Sequence, residues 1–291
     1  MPSRQLALAS MFLREILARD VAPRAPGPTA RLGARGIRAA MDDGGAVDGR
    51  TAAGYLFHSA RISRTIAGAR HCVDFGCGSA VQLLQVAALN PHIHFTGVDR
   101  EPVLLERAAA RAAALGIINV SWLCDDITAP RALARADFDA VISTMTLHDL
   151  PDRAALDACL RLMHDIVGDA GAVYIEDFGR LKTTRSMDYF VALNAPPEPD
   201  AFSALYRTSL GAAFTRAELA QAARALPGTR CHATFIVPFL VVIKTPDRAL
   251  APTTRDALRA LRDGLLSWQR RDLDELAQFF ALGGLRGDPF G

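Results

Sequence analysis

The sequence predicts a doubly wound α/β fold with seven strands, and three observations carry that expectation. Short apolar runs alternate with helix-length amphipathic stretches through the middle of the chain, a glycine turn follows the first run, and an acid closes the second run. Residues 4–20 carry a helical pattern, which Pro23, Pro26, Gly27, Pro28 and Gly33 break. A second helix is expected over 51–67, and residues 1–66 together read as an N-terminal helical cap. Strands are then expected at 71–75, 93–98, 119–124, 138–143 and 172–176, with helices at 80–89, 101–115 and 153–167 between them. Strands that are apolar almost throughout belong in a parallel sheet covered on both faces.

Residues 179–211 are too long for an ordinary connection of about 2–6 residues and read as an inserted lid. A helix over 215–225 follows. The strands at 230–235 and 238–244 are joined too briefly for a parallel crossover, so the last strand runs antiparallel. The central domain is therefore expected over 67–246. Residues 247–291 read as C-terminal helices that pack either on the core or on a second copy of the chain, which makes them the candidate dimer surface.

Composition narrows the function classes. A chain of 291 residues with half of them hydrophobic builds a full core, and a net charge of +2 gives no reason to expect nucleic acid as a partner. Residues 1–70 hold eleven arginines against five acids, which serves either an anionic substrate or plain solvation. Five scattered cysteines without a C-x-x-C pair fit a reducing cytoplasm and neither a disulfide framework nor a zinc ribbon. The apolar start at 6–13 runs into Arg14 and Glu15 without a cleavage site, and the run 235–243 contains Pro238 and is too short to cross a bilayer, so no membrane is expected. His92 and His94 alternate with no third ligand near them in sequence, and no metal is expected.

The chemistry concentrates in Val73-Asp74-Phe75-Gly76-Cys77-Gly78-Ser79-Ala80. Gly76 and Gly78 remove the Cβ atoms that would keep backbone away from a ligand, and the helix beyond offers free N–H groups. Asp99 ends the second strand, where a carboxylate accepts both hydroxyls of a ribose. A dinucleotide and a sulfonium nucleoside share that need, and Asp74 separates them. Two residues before the first glycine, a carboxylate repels a pyrophosphate but attracts an ammonium. Asp125 and Asp126 then end the third strand, where an acid accepts an adenine amino group.

These runs, with the later Phe138-Asp-Ala-Val-Ile-Ser-Thr-Met-Thr-Leu-His-Asp-Leu-Pro-Asp152, resemble the class I S-adenosylmethionine-dependent methyltransferases over about residues 67–244. The resemblance implies a Rossmann-like seven-stranded sheet and S-adenosyl-L-methionine as cofactor. It assigns the methionyl amine to Asp74, the ribose to Asp99 and the adenine to Asp126, and places Gly76, Gly78 and Ser143 in the cofactor site. Ala80 departs from the glycine frequent in the family. In the family, the loop after strand four faces the methyl and the acceptor.

His148 in that loop is the candidate general base for a hydroxyl or ammonium acceptor, with a backbone-bonded structural histidine as the other reading. Asp149 is expected to orient His148, to bind a cationic substrate, or to cap the following helix. Tyr55, His58 and Arg61 form one helical stripe that reaches either over the cofactor or into the core. Tyr189, Asn194 and Tyr206, beside Phe190 and Arg207, line an acceptor pocket or the insertion's own small core. The reading is thus O- or N-methylation of a small molecule, of the kind found in secondary metabolism. A nicotinamide reductase of the short-chain type lacks its Tyr-x-x-x-Lys, since Phe178 and Leu240 stand at that offset before Lys182 and Lys244. An RNA methyltransferase and a non-catalytic nucleoside-binding dimerisation module are the alternatives.

Overall fold

The computed structural model describes residues 4–28, 49, 51–133, 138–194, 201–234, 238–245 and 249–291. Expectations that fall on 29–48, such as the break at Gly33, and on 235, the predicted end of a strand, lie outside the described residues. Seven strands form one sheet: β1 His71–Phe75, β2 His94–Asp99, β3 Val120–Cys124, β4 Ala140–Thr144, β5 Ala172–Phe178, β6 Arg230–Ala233 and β7 Phe239–Lys244. Their order is β3-β2-β1-β4-β5-β7-β6. The first five pair in parallel, whereas β7 runs antiparallel to both β5 and β6. The chain therefore winds outward from β1 in one direction and resumes at β4 in the other, which opens a crevice above the carboxyl ends of β1 and β4.

Helices cover both faces. On one side lie α2 Ala52–Thr65, α3 Val81–Leu89, α4 Pro102–Ala114, α9 Pro252–Asp263 and α10 Ser267–Leu282, packed on Cys72, Phe95, Ile142 and Tyr174. On the other side α5 Arg153–Val167 and α8 Arg216–Ala222 pack on Val73, Val141, Val173 and Ile175. Alternate residues of each strand thus serve opposite layers, as the pleat requires. Proline at the first turn opens α4 and α9, Asp152 caps α5 by accepting from Ala155 N, and a Thr215–Glu218 capping box opens α8.

The expected N-terminal cap divides in two. α2 belongs to the layer on the sheet, where Phe57 stacks on Phe280 of α10 with ring centroids 5.1 Å apart. α1, Arg4–Leu17, instead joins α6 Thr184–Asn194 and α7 Ala201–Ala212 over the carboxyl end of β5, in a small cluster of Met11, Phe178, Phe190 and Leu210. The described parts of the insertion, 179–194 and 201–211, thus lie over the carboxyl end of β5. α10 packs Leu273 and Phe280 against the α2 layer within the chain, while Trp268 and Leu282 stay exposed. Among the described residues, no helix is long and apolar enough to cross a membrane.

At the switch point the glycine turn and the loop after β4 interlock. Thr146 donates its hydroxyl to Gly76 O at 2.9 Å, and Gly76 has φ +74°. A Cβ there would stand 2.1 Å from Thr146 Cγ2. We expect Gly76→Ala to lower the unfolding free energy by about 2–4 kcal/mol, from left-handed strain and overpacking together. Gly78→Ala, at φ +54° with nothing within 4 Å of its would-be Cβ, carries the strain alone and should cost about 1–2 kcal/mol in denaturant titration. Equal losses would discount the Thr146 contact.

Candidate active site

The crevice is lined by carboxylates delivered by consecutive strand ends. Asp74, one residue short of the end of β1, is buried, and its Oδ1 has no hydrogen-bond partner. Burial, with the neighbouring charge of Asp99 added, pushes its pKa up to about 8. Asp99 ends β2 and accepts from Gly78 N at 2.8 Å and from Glu101 N at 2.9 Å. Burial raises its pKa, and those two amide bonds work in the opposite direction. Asp99 therefore pins the glycine turn to β2, and Gly78 leaves open space above it. A glycine at 76 meets a different need from the one read in the sequence, since Thr146 fills the volume its side chain would take.

The two acids after β3 do different work. Asp125 is buried and accepts from the backbone N–H groups of Asp126, Arg131, Ala132 and Leu133, so its carboxylate is consumed in folding the loop. Asp126 Oδ1 accepts from the Thr128 amide at 2.8 Å and the Thr128 hydroxyl at 2.7 Å. The Thr128 hydroxyl, ahead of the amide, lowers the Asp126 pKa against the effect of burial. Ser143 is wholly buried and donates to Phe75 O at 2.9 Å, which ties β4 to β1 beneath the turn. Its hydroxyl proton is spent on the sheet rather than offered to the crevice.

Two non-glycine residues hold left-handed backbone in the described chain, Ala80 at φ 60° and Met145 at φ 54°. One begins α3 beyond the glycine turn and the other follows β4, so both lips of the crevice are strained. The strain at Ala80 is the local consequence of the missing third glycine.

His148 lies in a short 3-10 turn, Leu147–Asp149, and is 5 % exposed. Its Nδ1 stands 2.6 Å from Asp177 Oδ1, and its backbone N–H donates to Asp177 Oδ2 at 2.8 Å. Burial works against the imidazolium, but the charge and hydrogen bond of Asp177, helped by Asp149, prevail and raise the pKa above its ordinary value. With Nδ1 engaged, Nε2 is the nitrogen left for proton transfer. Asp177 is the partner that sequence reasoning did not assign to His148. The signal was present in an acid at the end of the central strand β5, but adjacency favoured Asp149. Asp149 corrects both structural expectations, because Asp177 orients the histidine and Asp152 caps α5. Its carboxylate instead faces Arg100, with Oδ2 3.5 Å from Nη2.

The stripe on α2 separates. His58 is 2 % exposed, with Nδ1 2.6 Å from the Tyr174 hydroxyl and Nε2 3.0 Å from Glu176 Oε1. It is a core histidine with both nitrogens occupied, in line with the core-facing of the two readings. Arg61 donates from its guanidinium to the carbonyls of Arg286 and Gly287 and closes the C-terminal tail over α2. Tyr55 is half-buried near Glu176, and burial ahead of that charge pushes its pKa up to about 12. In the insertion, the Tyr206 ring meets Phe178 edge-on at 5.1 Å, and Phe178 in turn lies 5.6 Å from the His148 ring. Tyr189 packs on Phe190 within the helical cluster, Arg207 pairs with Asp188, and Asn194 ends α6. Tyr206 is thus the member of that set placed nearest the dyad. His92 and His94 lie at the opposite, amino edge of the sheet, and the described residues hold no group of three or more His, Cys, Asp or Glu suited to a metal ion.

A family model described as a methyltransferase domain matches residues 67–206. No curated protein matches the sequence. Among solved structures, the plantazolicin methyltransferase BpumL, in complex with a monoazolic desmethylPZN analog and SAH, superposes with a TM-score of 0.55 at 12% identity, over 83% of this chain and 99% of that one. The plantazolicin methyltransferase BamL, with a triazolic analog and SAH, gives 0.54 at 16% identity over 91% and 94%. An O-methyltransferase of Nostoc punctiforme, described as putative, gives 0.53 at 17% identity over 82% and 68%. These likenesses show the fold. Residues 67–206 thus carry a methyltransferase domain, within a sheet of the methyltransferase fold that runs on through β7.

Proposed function

We propose that this enzyme methylates a hydroxyl or amine of a small-molecule acceptor, and that the His148–Asp177 pair removes the acceptor proton. The 2.6 Å contact between His148 Nδ1 and Asp177 Oδ1 is the observation that carries the reading. It fixes the neutral tautomer with Nε2 unprotonated, the form a general base needs. Tyr206 and Phe178 supply an aromatic flank beside it. The plantazolicin methyltransferases BpumL and BamL, solved in complex with desmethylPZN analogs and SAH, support the choice of a natural-product-like acceptor.

The cofactor, when bound, supplies a methyl group already activated by a sulfonium charge. The residues present fit it: Asp74 has an unpartnered buried oxygen for an ammonium, and Gly78 leaves open the space above the turn. In this proposal Asp74 holds the methionyl ammonium, Asp99 the ribose hydroxyls and Asp126 the adenine amino group through its remaining oxygen. The chain's own task is then positioning, which lowers such a barrier by about 7–11 kcal/mol. His148 Nε2 takes the acceptor proton, and Asp177 stabilises the imidazolium that results.

Three outcomes follow. Asp74, with a pKa of about 8 in the free protein, is largely protonated at pH 7. An ammonium beside it favours the carboxylate, so adenosylmethionine binding should release up to about one proton at pH 7. Calorimetry in buffers of different ionisation enthalpy reads this, and Asp74→Asn should abolish it. A buffer-independent enthalpy in the wild type would remove Asp74 from the ammonium site. Asp99→Ala should weaken adenosylmethionine binding by about 1.5–3 kcal/mol, through the loss of charge-assisted hydrogen bonds. Unchanged affinity by titration would overturn the ribose assignment. His148→Ala should depress turnover with cofactor affinity nearly intact, in a labelled-methyl screen of small-molecule acceptors. In the wild type, activity should fall as pH drops through a pKa above the ordinary histidine value, and a mutant that keeps that acid limb would show that the base lies elsewhere.

A further inference from the structure

His148 is gripped from two sides. Asp177 holds its ring and its backbone N–H, as described above. Its backbone carbonyl accepts from Arg24 Nη2 at 2.9 Å, and the same nitrogen donates to Leu150 O at 2.5 Å. Nη1 donates to Pro151 O at 2.7 Å, and Nε donates to Ala212 O at 2.6 Å. All three guanidinium nitrogens are thus committed to four carbonyls: one at His148, two just beyond its turn at Leu150 and Pro151, and one at the end of α7. The Arg24 guanidinium carbon lies 4.0 Å from the centroid of the Phe214 ring, which adds a cation–π contact.

The segment around Arg24 repeats these ties. Ala25 N donates to Gly211 O at 2.9 Å, and a Cβ at Gly27 would stand 2.2 Å from Asp149 Oδ1. Upstream, Glu15 accepts from Lys182 N at 2.8 Å and from Thr183 N at 3.2 Å at the start of the insertion. A planar, permanently charged fork suits this work, because it satisfies several carbonyls at fixed angles while neutralising the carbonyl end of the turn.

We propose that Arg24 is a positioning residue for the candidate base: by clamping the carbonyls of 148, 150 and 151 it keeps the His148 ring seated on Asp177. The N-terminal segment, which carries none of the methyltransferase motifs, then supplies part of the catalytic geometry. The charged groups around the ring are Asp177 from β5, Asp149 from its own turn and Arg24 from the N-terminal segment. The inference rests on the proposed function only in calling His148 the base, since the placement of the ring can be read without acceptor or cofactor.

The test is proton and nitrogen NMR of the full chain labelled at histidine. The short Nδ1–H to Asp177 bond should give a far-downfield ring proton, assigned to His148 by its absence in His148→Gln. In Arg24→Ala that resonance should disappear through exchange broadening, whereas it should persist in Arg153→Ala, which removes a neighbouring arginine paired with Asp157 on α5. If Arg24→Ala does not fold, Arg24→Lys decides, because one ammonium keeps the charge but cannot span the four carbonyls, and the same loss is expected. A folded Arg24 variant with the His148 resonance unmoved and undiminished would overturn the proposal. Loss of the signal equally in Arg153→Ala would overturn it too, by showing that the turn responds to any nearby change.

Discussion

Negative charge taken out of water has to be met by a cation, by donors or by a proton, and the carboxyl edge of this sheet is built under that constraint. Asp74, Glu176 and Asp177 are buried there and Asp99 is half-buried. Asp99 is answered by two backbone N–H groups, Glu176 by His58 and Asp177 by His148 with two amides. Asp74 is the one of the four with a buried oxygen that lacks a partner, and the protein answers with a proton instead. The crevice is therefore tuned to favour a positive group beside Asp74, and the three satisfied acids hold the rigid frame around that position.

Much of the fold was legible because its signals are local. Apolar runs of strand length, the glycine turn and Asp99 at the end of β2 depend on period and spacing, which the sheet preserves. The choice of Asp126 over Asp125 came from the family resemblance; in three dimensions four backbone amides occupy Asp125 and leave Asp126 the less encumbered acid. What was not legible depends on distant register. Asp177 reaches His148 because β5 pairs with β4 so that Ser143 lies opposite Ile175, a relation with no trace in the neighbouring sequence. Arg61 sits on the same helical stripe as Tyr55 and His58, yet a C-terminal tail more than two hundred residues away claims it.

Arg24 is the clearest case of meaning supplied by context. In the sequence it is one more arginine in a basic stretch broken by prolines, and solvation accounts for it adequately. In the folded chain its fork closes on a turn that begins more than a hundred residues later. Charge counts along a sequence register such a residue but not its task. The same holds for the insertion, whose length signalled a role while its helices alone show that it shares a core with α1.

Glu176 and Asp177 are neighbours on one strand, so the pleat sends them to opposite layers, where each meets a different histidine. A slip of β5 by a single position would exchange the layers and strand both carboxylates among aliphatic side chains. Correct alignment of the central strand is thereby inseparable from the pairing of each carboxylate with its histidine. An insertion or deletion within β5 would impose the same exchange of layers on every strand residue beyond it.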